Sequence, residues 1–173
     1  MTQRLLLALA LLVGLAGAAH AQGTYRIYGD YPNASLTGTL TETNFASVPI
    51  PANSMGPNGL ARLTLTTNNS NSANTKTIII RMGLTPGAIG NPQMNISTTT
   101  TVTAQTILFF RNHNATGSNG VWGNFTPYGV AAGAENPTSL DTTQTIYFNI
   151  DGVLTNTGDT VGLYGWTLEI ITP

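Results

Sequence analysis

Apolar and polar residues alternate with a period of two along much of this chain. In Leu60–Thr67, Leu63 and Leu65 alternate with Arg62, Thr64 and Thr66, the pattern of a strand with one buried face. In Thr145–Asp151, Ile146, Phe148 and Ile150 share one face, while Thr145, Tyr147 and Asn149 share the other. The β-branched run Ile78-Ile79-Ile80 predicts a more deeply buried strand. Near the C-terminal end, Val161 and Leu163 hold one parity and Trp166, Leu168 and Ile170 the other. Gly165 sits at the switch, which predicts a bulge or kink there.

The pattern predicts strands near Thr24–Tyr28, Leu36–Thr41, Leu60–Thr67, Lys76–Met82, Asn95–Thr103, Thr106–Arg111, Val121–Phe125, Thr145–Asp151 and Thr160–Ile171. After the first residues, no stretch repeats apolar positions at helical spacing over two turns. Pro57-Asn58-Gly59 is a turn signal, because Pro presets the entry and Asn and Gly tolerate positive φ. The polar run NNSNSAN (residues 68–74) reads as an exposed loop. Residues 83–94 and 126–143 read as long loops, and the alternating threonines of STTTTVTAQT as an exposed strand. Short strands broken by Gly, Pro and Asn predict an all-β antiparallel sandwich. Its core should unite Leu63, Leu65, Ile146, Phe148, Ile150, Leu163 and Leu168.

Residues 1–21 have a different character. Arg4 precedes an apolar run from Leu5 to Leu15, and Ala19-His20-Ala21 matches a leader-peptidase site. The expectation is a signal-like leader or N-terminal helical anchor over 1–21, followed by one domain over 22–173. The apolar run is shorter than the ~20 residues a membrane span requires.

Composition narrows the function classes. From Gln22 onward, five basic residues face seven acidic ones, a formal charge of −2. This argues against nucleic acid as a partner, which needs a clustered basic patch. The polar surface is made mainly of Thr, Asn, Ser and Gln, suited to packing against copies of the same chain or to meeting sugars. Cysteine is absent, which removes disulfides and thiolate metal sites.

Catalytic signals are sparse. His113 is the one histidine after the leader and lies in the polar segment RNHNATGSNG, where it reads as a surface loop residue. No G-x-S-x-G, phosphate-binding loop or H-E-x-x-H occurs. Paired carboxylates for glycoside hydrolysis would have to come from Asp30, Glu42, Glu135, Asp141, Asp151, Asp159 and Glu169, none in a distinctive context. Asp151 and Asp159 read as turn residues on either side of VLTNT; a Ca²⁺ site using both is the alternative. No cofactor is expected. Trp122 and Phe125 read first as core side chains of a short strand. Aromatics beside Asn can also stack on sugars, which makes His113, Asn114, Trp122 and Tyr128 the candidate glycan contacts.

Three segments carry a resemblance. IPANSMGPNG (50–59) precedes a short strand, NNSNSANTKT and a strand ending in Arg81-Met82-Gly83. QTILFFRNHNATGSNGVWG (105–123) is a strand followed by Arg-Asn and a polar loop. LDTTQTIYFNIDGVLTNTGDTVGLYGWTLEI (140–170) holds an Asp-Thr pair, an alternating strand, Gly158-Asp159-Thr160 and a final apolar strand. Over roughly Ser47 to Pro173 the chain resembles small jelly-roll virion proteins of tailed bacteriophages, of tail-fibre or head-surface type. The resemblance implies a jelly roll, often trimeric, on the virion surface or tail, and no catalytic residues. The expected function is therefore a non-enzymatic fibre, spike or decoration subunit serving host attachment or particle stabilisation. Its expected partners are itself as a homotrimer, other virion proteins and a host surface glycan. A leader is foreign to such proteins, so an exported bacterial adhesin or surface-fibre subunit of the same fold is the alternative, secreted or at the cell surface.

Overall fold

Eleven strands account for the regular structure of the computed structural model, which describes residues 24–89, 92–123 and 136–173. They are β1 Thr24–Asp30, β2 Ala34–Thr37, β3 Thr43–Ile50, β4 Leu60–Asn69, β5 Lys76–Gly83 and β6 Pro92–Thr98. The chain continues through β7 Thr103–Asn112, β8 Asn119–Gly123, β9 Asn136–Thr138, β10 Ile146–Leu154 and β11 Thr160–Thr172. The expected leader or helix over 1–21 lies outside the described residues, as do Phe125 and Tyr128.

The strands form two antiparallel sheets. The larger runs β1-β11-β4-β7-β8-β9, with β2 continuing β1 along β11; the smaller runs β3-β10-β5-β6. If β1 and β2 count as one position and the β8–β9 extension is set aside, the chain passes through eight positions. These lie 1-8-3-6 in one sheet and 2-7-4-5 in the other. That order makes the fold an antiparallel sandwich of jelly-roll type.

Alternation explains the core. Residues paired across an antiparallel ladder share a face, so the pairs Leu63–Leu168, Leu63–Leu108, Leu65–Trp166 and Ala61–Phe110 line the inner side of the larger sheet. Ile146, Phe148, Ile150, Ile78, Ile80 and Val48 line the inner side of the smaller one. All seven expected core residues are buried in one cluster. Phe110 and Phe148 meet edge to face across it, ring centroids 6.4 Å apart.

Three expectations change. The segment TNFASVPI is β3, at the edge of the smaller sheet. The sequence reading placed no strand there; its Pro49 pairs opposite Tyr147 and is tolerated because an edge strand has one side without a partner. Residues 99–102 form the turn between β6 and β7 rather than strand. Of the isoleucine run, Ile78 and Ile80 are buried while Ile79 lies half-buried on the opposite face.

Candidate functional site

Of the sequence-predicted contacts, the described ones, His113, Asn114 and Trp122, lie on different parts of the β7–β8 hairpin. His113 and Asn114 are exposed in the β7–β8 loop, and Asn114 adopts φ 57°, the left-handed region that Asn tolerates. The loop base is pinned from inside. Buried Asn112 donates from Nδ2 to the Gly56 carbonyl (2.9 Å) and to Thr142 Oγ1 (2.8 Å), and Asn119 donates to the Leu140 carbonyl (2.6 Å). Trp122 lies three residues along β8 from Asn119, roughly 10 Å away at strand rise. Its neighbour Val121 pairs with core Phe110, so Trp122 faces outward and stacks on Phe109 (5.3 Å, 19°). The first reading of Trp122 as a core side chain is therefore corrected: it is half-buried on the sheet's outer face.

Asp151, Glu42 and Asp159 are held by hydrogen bonds from neighbouring side chains. Asp151 lies inside β10, at a register shift, and not in a turn. It accepts a hydrogen bond from Arg81 Nη1 at 2.7 Å and one from Asn44 Nδ2 at 2.8 Å. Glu42 accepts from the same Nη1 at its Oε1 and from Nη2 at its Oε2, the latter at 3.2 Å. One buried arginine thus holds two carboxylates. Asp159, at the other end of the β10–β11 connection, accepts from Ser70 Oγ (3.0 Å) and Asn74 Nδ2 (2.9 Å). Ser72 first, then Asn74 and Ser70, hold its carboxyl below the usual carboxylate range. Lys76 is fully buried and donates Nζ to Ser72 Oγ at 2.8 Å. The polar run read as an exposed loop is largely so, but Ser70, Ser72 and Asn74 anchor it to Asp159 and Lys76. Asp151 and Asp159 do not meet, so a Ca²⁺ site shared between them is not formed. Among the described residues, no group of three or more His, Cys, Asp or Glu could hold a metal.

One row of directly paired residues crosses the outer face of the larger sheet: Ile27, Glu169, Arg62, Phe109 and Trp122. Arg62 and the Tyr25 hydroxyl both donate to Glu169. The Arg62 bond is the larger reason that the Glu169 carboxyl sits low, and the same carboxylate raises the Tyr25 hydroxyl.

Two concave features lie at the β11 bulge. The β11–β4 register shifts between Leu163 and Gly165, which leaves Tyr164 as the extra residue, 52% exposed. A bulge re-aims a side chain in this way. Tyr31, 77% exposed, stands edge-on to it at 6.2 Å and 75°. A Cβ at Gly165 would come within 2.6 Å of the Tyr31 ring, so the glycine makes room for that ring. Beside Tyr164 lie two grooves. One, of 220 Å³, is lined by Thr66, Thr67, Asn68, Thr103 and Tyr164. The other, of 190 Å³, adds Asn33, Ser35, Thr160 and Gly162 to the shared Asn68 and Tyr164. Sequence reasoning missed this cluster. The signal was present in Gly162-Leu163-Tyr164-Gly165, where an aromatic between two glycines coincides with the parity switch.

No protein-family model and no curated protein matches the sequence. Among solved structures, the chain is similar to basic winged bean lectin with Tn-antigen at 8% identity and TM-score 0.38, over 86% of this chain and 98% of that one. It is similar to a lectin from Bauhinia forficata in complex with GalNAc at 8% identity and TM-score 0.38, over 85% of this chain and 98% of that one. It is also similar to the structure of infectious bursal disease virus, Gx strain, at 9% identity and TM-score 0.37, over 87% of this chain and 32% of that one. At these values the likeness is one of general sandwich form and says nothing of ligand or partner.

Proposed function

We propose that this chain is a non-enzymatic virion surface protein, a fibre, spike or decoration subunit that assembles as a homotrimer and serves host attachment or particle stabilisation. The observation that carries the reading is the β1 edge. β1 ends the larger sheet, and Tyr25 (53%), Ile27 (60%) and Tyr28 stand exposed along it, with Tyr31 just beyond. An edge that offers unpaired backbone groups together with apolar side chains is a template for packing against another chain. The low charge of the surface offers little electrostatic opposition to packing of identical subunits. The motif resemblance over Ser47–Pro173 supports placing that assembly on a phage particle.

The second reading is an exported bacterial adhesin or surface-fibre subunit with the same assembly edge. It is favoured by the leader-like residues 1–21. The N-terminus of native material separates the two readings: Met1 retained on purified particles supports the virion, and Gln22 in culture medium supports export.

Light scattering at micromolar concentration tests the assembly itself. The expected mass is three chains, and Ile27→Lys, a charge on the edge strand, should lower it. A monomeric mass that does not change on concentration would overturn the proposal.

A further inference from the structure

We infer that the paired grooves at the β11 bulge form a binding site for a neutral saccharide at least two rings long, with Tyr164 as the stacking surface between them. The site supplies the ligand for the surface-attachment reading above and rests on that reading for its biological purpose, though not for its chemistry.

The aromatic surface is built in advance. The bulge aims Tyr164 outward, and Tyr31 holds it edge-on. Gly162 allows the backbones to close in, since a Cβ there would lie 3.0 Å from the Ala34 carbonyl and 3.1 Å from the Asn68 carbonyl. A ring already held in place loses little freedom on binding.

The lining selects the ligand class. The polar side chains around Tyr164 are amides and hydroxyls: Thr66, Asn68 and Thr103 on one side, Asn33, Ser35 and Thr160 on the other. No charged side chain lines either groove. Amides and hydroxyls donate and accept at once, as do the hydroxyls of a sugar. A phosphate or carboxylate ligand would find no cation. An apolar ligand would leave the amides unpaired, which costs free energy for each group buried. Among the described residues, the side chains of Asn33, Ser35, Asn68 and Thr103 make no hydrogen bond within the chain, so their bonding capacity faces outward.

Size sets the length. Each groove is smaller than the ~300 Å³ at which drug-sized pockets begin, which suits one ring. The two adjoin across Tyr164 and Asn68, which suits a disaccharide or longer chain.

The test screens the full chain by saturation-transfer NMR against neutral di- and oligosaccharides, with sialylated and phosphorylated sugars as the charged arm. At least one neutral sugar should bind. Tyr164→Ala should weaken it about tenfold, a loss of ~1.4 kcal/mol, while Trp122→Ala should leave it unchanged. If Tyr164→Ala does not fold, chemical-shift mapping on the wild-type chain decides. Shifts centred on Tyr164, Asn68 and Thr103 support the site, and shifts centred elsewhere overturn it. Binding to no neutral sugar, binding confined to the charged arm, or binding lost in Trp122→Ala and kept in Tyr164→Ala also overturns it. The two readings fail separately: a monomer that still binds sugar sinks the assembly proposal, and a trimer that binds none sinks this one.

Discussion

Phe110 on β7 and Phe148 on β10 pack edge to face across the sandwich, at 6.4 Å and 86°, and both are fully buried. They are a direct aromatic link between the two sheets. Phe148→Ala should cost about 3–5 kcal/mol through lost burial and the cavity left behind. A double-mutant cycle with Phe110→Ala should return a coupling of about 0.5–1.5 kcal/mol from the ring geometry. Urea unfolding of the four proteins measures both quantities, and a coupling near zero would contradict the contact.

Arg81 carries a second prediction. Its side chain is 7% exposed and bridges Asp151, 3% exposed, to Glu42. Arg81→Ala leaves two carboxylates at the site without their cation, and removing one partner of a buried pair costs about 3–5 kcal/mol. Arg62→Ala, whose partner lies on the outer face with Arg62 itself 42% exposed, should cost about 1 kcal/mol or less. The ratio of the two losses in denaturant titrations checks the assignment.

Acid should weaken the domain through particular residues. Asp159 is held low first by the Ser72 hydrogen bond, Asp141 by the backbone N–H of Thr143, and Glu169 by Arg62. A carboxylate whose folded pKa is lowered binds protons more tightly when unfolded. Its stabilising contribution is therefore complete above the ordinary carboxylate value near ~4. That contribution is lost as pH falls through the folded value. Tyr25 is shifted upward by Glu169, so its contribution is present below about pH 10 and is lost as pH rises beyond its folded value. Thermal midpoints should fall at both extremes. Asp159→Asn should flatten the acid limb, and Tyr25→Phe the alkaline one.

The two bulge glycines should respond differently to alanine. At Gly165 the new methyl meets the Tyr31 ring, a side chain that can swing away. At Gly162 it meets two backbone carbonyls at 3.0 and 3.1 Å, those of Ala34 and Asn68, and neither moves without disturbing the pairing of β2 or β4. Gly162→Ala should cost about 1–3 kcal/mol, the range for overpacking, and Gly165→Ala less. Equal thermal midpoints for the two variants would contradict this ordering.

The core was legible because period-two alternation and burial share one cause. Leu63, Leu65, Phe148 and Leu168 follow from parity alone, and the parity switch located the β11 bulge. β3 was not legible from composition, because a Pro inside a strand is tolerated mainly at an edge, and edge status is a property of the finished sheet. Asp151 was misread for a related reason: Asp-Gly signals a turn locally, while Arg81 and Asn44, both distant in sequence, hold it inside a strand. The contact residues were the least legible. His113 and Trp122 look alike in a string of loop aromatics, yet three residues of strand separate the buried base of the loop from the outward indole. Tyr31 and Tyr164 become neighbours only when β11 folds back along β1 and β2.

That last strand also sets the order in which the protein can come into being. β11 lies between β4 on one side and β1 and β2 on the other, and it is the last strand in chain order. During synthesis, β1 and β2 have no ladder to join, and β4 has one unmatched side, until β11 has left the ribosome. Long-range closure of this kind is slow and leaves strand edges open to wrong partners in the meantime. A chain truncated before Thr160 should therefore be far more protease-sensitive than one that includes β11, a difference that pulse proteolysis of the two released chains would reveal.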